Sequence, residues 1–270
     1  MQTDSLFDVS NEVVVITGAA GLLGYEYAKA FLIRGARVVG IDQAHSNRSE
    51  DLERLFPQKY LHQIVDVSSK TSLQAAAAES EGRFGVASVL INNAAIDSPP
   101  SAPIEQNGPF EDYPESVWDQ VMEVNLKGVF LTCQIYGARM ASAGHGSIIN
   151  IASIYGVVSP DQGLYAYRRE RGEQFFKPIG YAVSKSGILN LSRYLAVYWA
   201  KSGVRVNTLT LAGVENAQEG DFLKNYCERI PCGRMASADE YNGSVLFLAS
   251  RASSYMTGSN LVVDGGWTAI

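Results

Sequence analysis

The sequence predicts an α/β fold: one domain holding a doubly wound, seven-stranded parallel sheet with helices on both faces. Three observations carry that expectation. Seven short runs rich in Val and Ile recur along the chain, amphipathic stretches separate them, and the first run ends in a glycine-rich turn. Strands covered on both faces read as near-continuous apolar runs, and their alternation with helices implies right-handed βαβ crossovers.

The strand-like runs are Val13–Thr17, Arg37–Asp42, Tyr60–Val65, Ser88–Asn92, Ser147–Ala152, Val204–Leu211 and Asn260–Val263. Between them Leu22–Arg34, Val117–Ala143 and Tyr181–Ser202 read as helices. These units use almost all of the 270 residues, so a second domain has no room. Two segments break the rhythm. Asp97–Pro114 holds prolines at 99, 100, 103 and 114, which predicts loop until Pro114 opens a helix in its first turn. Ser159–Pro178, SPDQGLYAYRRERGEQFFKP, shows no regular pattern. A structureless insertion of that length in a compact domain usually serves function or moves.

Hydrophobic content of 46% and charged content of 19% describe a globular chain. A net charge of -6 without a Lys/Arg run argues against nucleic acid and anionic membrane as partners. The opening MQTDSLFDVSNEVVVITG has no basic start and no long apolar stretch. Nothing approaches the roughly 18 apolar residues of a membrane span. Cys133, Cys227 and Cys232 lack paired metal spacing. Inert thiols, no metal site and a cytoplasmic location are the expectation.

The first run closes in Thr17-Gly18-Ala19-Ala20-Gly21-Leu22-Leu23-Gly24 and passes into a helix. Glycines let the backbone approach a pyrophosphate, and a helix N-terminus offers free N–H groups and partial positive charge. Glycine also serves ordinary turns; the position between first strand and first helix gives this one its dinucleotide reading. Asp42 ends the second run. A carboxylate there accepts hydrogen bonds from an adenosine ribose and repels a 2′-phosphate, and no Arg or Lys stands at 19, 20 or 43. NAD rather than NADP is the expected cofactor, the plainer reading being a strand-end cap. Tyr181 and Lys185 lie four apart in Tyr-Ala-Val-Ser-Lys, which puts both on one helix face. An ammonium near a phenol favours phenolate, so the pair can exchange a proton with a substrate hydroxyl or carbonyl. Alone, such a pair more often marks a solvated helix face.

Taken together, Thr17–Gly24, Asp66-Val67, Asn92-Asn93-Ala94, Asn125, Ser153, Tyr181 with Lys185 and Val263-Asp264-Gly265-Gly266 resemble the short-chain dehydrogenase/reductase family, in family order over essentially the whole chain. The resemblance implies a Rossmann-type sheet. It makes Tyr181 the general acid/base and Ser153 the holder of the substrate oxygen. Lys185 would also bind the nicotinamide ribose, and Asn125 would hold a water in the proton relay. The cofactor would lie against Gly18, Gly21, Leu23, Gly24, Asp42, Asp66, Val67, Asn93, Ala94 and Val214, as well as Tyr181 and Lys185.

Three departures stand out. Leu22 replaces the family's commoner glycine, and the Gly18/Gly21/Gly24 spacing looks more like the branch that modifies sugar nucleotides. Leu211-Ala212 stand where Pro-Gly is usual. The Ser153–Tyr181 separation is enlarged by the 159–178 insertion. Within the family, Gly21–Gly24, Ser153–Val158, the insertion and Leu261–Thr268 resemble bacterial oxidoreductases called flagellin modification protein A, which are associated with surface sugars.

The insertion carries Arg168, Arg169, Arg171 and Lys177 beside Tyr165, Tyr167, Phe175 and Phe176. Arg forks bind phosphate or carboxylate, which would suit an anionic substrate at a pocket lid. Asp161, Glu170 and Glu173 nearly cancel that charge, which favours a solvated loop whose aromatics pack on the domain or a second subunit. The leading function is hydride transfer between NAD and a hydroxyl or carbonyl of a small molecule, a sugar or sugar derivative. The alternatives are an epimerase or dehydratase that retains NAD and a silent NAD-binding protein. Apolar residues well round the two long helices, together with the resemblance, imply a homodimer or homotetramer.

Overall fold

In a computed structural model of the chain, which describes residues 5–97 and 106–270, seven parallel strands form one sheet in the order β3-β2-β1-β4-β5-β6-β7. They are β1 (Val13–Thr17), β2 (Arg37–Asp42), β3 (Tyr60–Ile64), β4 (Val89–Asn92), β5 (Gly146–Ser153), β6 (Val204–Leu211) and β7 (Asn260–Val263). The predicted doubly wound α/β fold is the observed one. Strand ends moved by a residue or so: β3 stops at Ile64, β4 starts at Val89, and β5 gains Gly146 and Ser153.

The unbroken apolar runs have a direct cause in packing. Val13 and Val15 enter one core, while Val14 and Ile16 enter another on the opposite face. Ile148 and Ile149 divide in the same way. The inner strands are therefore buried twice, and polar alternation there would leave unpaired groups on one side. A buried network crosses the middle of the sheet. Asn92 donates to Asn150 at 2.8 Å, and Asn150 to Ser192 at 2.9 Å.

The first helix is α1 (Leu22–Ile33), followed by α2 (Asn47–Leu55) and α3 (Lys70–Phe84). Residues 115–143 then form one continuous helical rod, made of α4 (Glu115–Met122), α5 (Gly128–Thr132) and α6 (Ala138–Ala143). Two π-helical turns, Glu123–Lys127 and Cys133–Gly137, join them. Pro114 is the N-cap rather than the first helical residue, and the prolines at 99, 100 and 103 lie outside the described residues.

The insertion is not structureless. A 3₁₀ turn (Gln162–Tyr165) runs into α7 (Ala166–Glu170) before Pro178 caps α8 (Ile179–Trp199), which starts two residues earlier than expected. Its order comes from a third cluster, in which Tyr165 and Phe175 are buried with Tyr226, Met235 and Trp267. Full burial of one large apolar side chain stabilises by roughly 1.5–3 kcal/mol, enough to hold a short segment. The remaining helices are α9 (Gly220–Arg229) and α10 (Asn242–Ala249).

Among the described residues no helix is long and apolar enough to cross a membrane. Nor, among them, does any group of three or more His, Cys, Asp and Glu gather as a metal site would.

Candidate active site

All seven strands point the same way, so their carboxyl ends share one edge of the sheet. Strand order reverses between β1 and β4, and open α/β sheets bind ligands at such a switch point. The glycine turn lies there. Gly18 has φ +68°, and a Cβ on Gly24 would sit 2.1 Å from the Gly18 carbonyl oxygen, so both positions need glycine. Gly21 is the N-cap of α1, and no side chain caps that terminus. Its first amides are thereby left for a ligand, which suits a pyrophosphate.

Neighbouring residues hold the turn from both sides. Thr17 Oγ1 accepts from the amides of Asn93 and Ala94, each at 3.0 Å, and Asn93 Nδ2 donates to the carbonyls of Thr17 and Gly18. Asp42 accepts from the Ala20 amide at 2.9 Å and from the Gln43 amide at 2.8 Å. Asp42 thus does act as a strand-end cap, besides being a carboxylate beside the turn. Asp66 accepts from the amide and hydroxyl of Ser68, and these bonds hold its carboxyl below the usual range despite some burial. Val67 is buried against Gly128, where a Cβ would meet it at 2.8 Å.

The second half of the site lies across the switch point. Ser153 ends β5, and Tyr181 and Lys185 lie on the first turns of α8. All three line one cavity of about 650 Å³, together with Leu23, Asn93 and Val214. The Ser153 hydroxyl accepts from the Tyr155 amide at 3.2 Å and lies near enough to Tyr181 to favour its phenolate. Lys185 Nζ stands 5.7 Å from the Tyr181 ring centre and donates to the Ile151 carbonyl at 2.8 Å.

The electrostatics correct one expectation. Burial pushes the Tyr181 phenol well above its ordinary range, and the Asp97 carboxylate adds to that. The Ser153 hydroxyl acts the other way and is the smaller effect. Burial of the phenol outweighs any draw from Lys185, and burial lowers the lysine itself to about 8, with Asp97 opposing. Among the protein's own groups, the ionised form of each member is disfavoured.

Asn125 sits in the first π turn, fully buried. Its Oδ1 accepts from the Ile96 amide, and its Nδ2 donates to the Ile96 carbonyl and to Ser184 Oγ. The side chain thus ties the end of β4 to α8 beside Tyr181. Leu211 and Ala212, the departure from Pro-Gly, continue β6. Leu211 pairs in register with both Ser153 and Val263, and the Ala212 carbonyl accepts from Tyr241.

The insertion contributes Tyr165, Tyr167 and Lys177 to the same cavity. Its arginines are engaged within the protein. Arg168 pairs with Glu173 and stacks on Phe175, Arg169 donates to the Phe175 and Gln162 carbonyls, and Arg171 pairs with Asp221. These contacts match the packed-loop reading of the insertion rather than the anion-binding one. Asp97 and Tyr155 line the cavity and were missed by sequence reading, as was Gln162, which holds the Lys177 backbone. Asp97 pairs with Lys177, 80 residues away, and no local signal marks it.

The model of the family described as enoyl-(acyl carrier protein) reductase matches residues 18–268. D-threitol dehydrogenase of Mycolicibacterium smegmatis is 34% identical over 99% of this chain and 97% of its own. NAD-dependent glycerol dehydrogenase of Listeria innocua is 32% identical over 98% of this chain and 97% of its own. A gluconate 5-dehydrogenase from Burkholderia cenocepacia, solved in complex with NADP and tartrate, superposes with a TM-score of 0.84. It is 28% identical and covers 98% of each chain. None of these relatives bears the flagellin-modification name. A family match that begins in the glycine turn and runs almost to the C-terminus, with relatives above 30% identity over nearly the full length, makes this chain a member of the short-chain dehydrogenase/reductase family.

Proposed function

We propose that the chain is an NAD(H)-dependent dehydrogenase that moves a hydride between the cofactor and a hydroxyl or carbonyl of a sugar or polyol. The observation that carries the reading is the meeting of Ser153, Tyr181 and Lys185 in one cavity, next to an uncapped glycine turn at the switch point. Gly18, Gly21, Leu23 and Gly24 would hold the pyrophosphate, Asp42 the adenosine ribose, and Asp66 and Val67 the adenine. Asn93, Ala94 and Val214 would line the nicotinamide half. When bound, an oxidised nicotinamide supplies the hydride acceptor and a positive ring charge.

Tyr181 takes the proton from the substrate hydroxyl, and Ser153 holds that same oxygen. Lys185 binds the nicotinamide ribose and keeps an ammonium beside the phenol. Asn125 fixes the seam between β4 and α8 and supports the proton path. The 159–178 segment forms a wall of the substrate pocket through Tyr165, Tyr167 and Lys177.

Preference for NAD rests on the Asp42 carboxylate beside the turn. The relatives span a glycerol dehydrogenase named for NAD and a gluconate dehydrogenase holding NADP, and the Asp42 carboxylate supports NAD for this chain. Their names also span neutral polyols and a sugar acid. The stretches resembling flagellin modification protein A add surface-sugar precursors to the substrates worth testing. We further propose assembly as a homodimer or homotetramer through the α4–α6 rod and α8.

The test is absorbance of NADH formed with a panel of polyols and sugars, alongside fluorescence titration of both cofactors. Net NADH formation is expected, with NAD(H) bound at least about tenfold more tightly than NADP(H), or roughly 1.4 kcal/mol. Equal affinities would overturn the cofactor assignment. Product without net NADH would move the reaction to epimerisation or dehydration.

A further inference from the structure

The cavity wall facing Tyr181 carries a charged pair that hydride transfer does not use. Lys177 lies at the end of the insertion, one residue before Pro178. Its side chain is only 7% exposed, yet it lines the same cavity as Ser153 and Tyr181. Its ammonium pairs with Asp97 and stands 5.3 Å from the Tyr181 ring centre. Asp97 also lines the cavity and keeps 41% of its side chain exposed, so the pair opens onto the substrate space.

The lysine is held in place. Gln162 clamps its backbone from both sides, accepting from the Lys177 amide at 2.9 Å and donating to the Lys177 carbonyl at 3.1 Å. Arg169 secures the clamp by donating to the Gln162 carbonyl at 2.8 Å. Desolvating an ammonium costs several kcal/mol unless it is paired, and most lysines extend their charged ends to water instead. A lysine fixed this way, beside the proposed acid/base, is placed for recognition.

We infer that Lys177 and Asp97 form a hydroxyl-reading pair that selects neutral polyhydroxylated substrates with a hydroxyl next to the reacting carbon. A hydroxyl both donates and accepts. Its oxygen accepts from the ammonium while its proton goes to the carboxylate, so one group satisfies both members. An anionic substrate is disfavoured for three reasons. Asp97 already balances the Lys177 charge, and Glu219, which accepts from Tyr167 at 2.7 Å, adds another carboxylate to the wall. The arginines of the insertion serve contacts within the protein. The position of the reacting carbon rests on the dehydrogenase reading; the recognition chemistry does not.

The experiment compares polyols, their deoxy analogues lacking the neighbouring hydroxyl, and the matching aldonates. Calorimetry on the NADH complex gives affinities, and turnover gives kcat and KM separately. The full chain should favour polyol over deoxy analogue by about a hundredfold or more in kcat/KM, because the analogue leaves the pair unsatisfied. Lys177→Met and Asp97→Asn should each raise the polyol KM about ten- to a hundredfold, and the double variant should add little beyond the worse single change.

Neither change should alter NADH affinity, which checks that the variants fold, and neither should raise the KM of the deoxy analogue, which has no hydroxyl for the pair to read. Asp97→Asn should in addition admit aldonates about tenfold better, as removal of a repelling charge predicts. Equal losses for polyol and deoxy analogue would reduce the pair to a structural brace and overturn the inference. Aldonates preferred by the unaltered chain would do the same. Polyol binding that depends on Lys177 without any turnover would instead sink the dehydrogenase reading and leave this one standing.

Discussion

Tyr181 and Lys185 show what burial does to a proton-transfer pair. The phenol is driven up and the ammonium is driven down to about 8, chiefly by desolvation in both cases. The depressed lysine links to stability in a definite direction. Its unfolded value is near 10.5, so between pH 8 and 10.5 the unfolded chain holds a proton that the folded chain lacks. Stability of the unaltered chain relative to Lys185→Met should therefore rise across that window, by about 3 kcal/mol in total. Chemical denaturation of both proteins at stepped pH checks this, and a flat difference would contradict it. Spacing alone put Tyr181 and Lys185 on one helix face. The direction of their shifts was not legible, because it depends on burial and on Asp97, whose charge arrives from the far end of β4.

At the scale of the element, the 159–178 insertion is the segment the sequence described least well. It has no helical or strand periodicity, since its order is borrowed from α9 and the loop before it. Tyr167 donates to Glu219, Arg171 pairs with Asp221, Asn225 donates to the Leu164 carbonyl, and Tyr165 stacks on Phe222. Partners some fifty residues away leave no trace in local pattern. Between anion ligand and packed loop, charge cancellation favours the packed loop, and guanidinium forks do cap carbonyls here, Arg169 twice. Arg169→Ala should loosen the Gln162 clamp and lower local stability by roughly 1–3 kcal/mol. Limited proteolysis within 159–178 should then quicken by tenfold or more, with NAD(H) affinity unchanged. A cleavage rate equal to that of the unaltered chain would show that the segment is held by its aromatic residues alone.

For the whole molecule, the inner strands were legible because double burial writes itself into sequence as continuous apolar runs. The helices α2, α3, α9 and α10 were not placed one by one, since the repeat of βαβ units predicts their existence better than their bounds. The proposed assembly follows from what the monomer leaves uncovered. On α8, Val197 is 82% exposed and Tyr198 66%, next to Tyr194, while Phe130 is exposed on α5. Val197→Glu should shift sedimentation towards smaller species at micromolar concentration while leaving NAD(H) binding measurable; an unchanged profile would place the interface elsewhere. The central claim is that one cavity at the switch point carries out hydride transfer with Tyr181 as its acid/base. Its most direct test pairs NAD(H) titration with turnover for Tyr181→Phe, a change that removes one oxygen and little else. Affinity should stay near that of the unaltered chain while turnover falls by about two to four orders of magnitude. Full activity in Tyr181→Phe would contradict the claim outright.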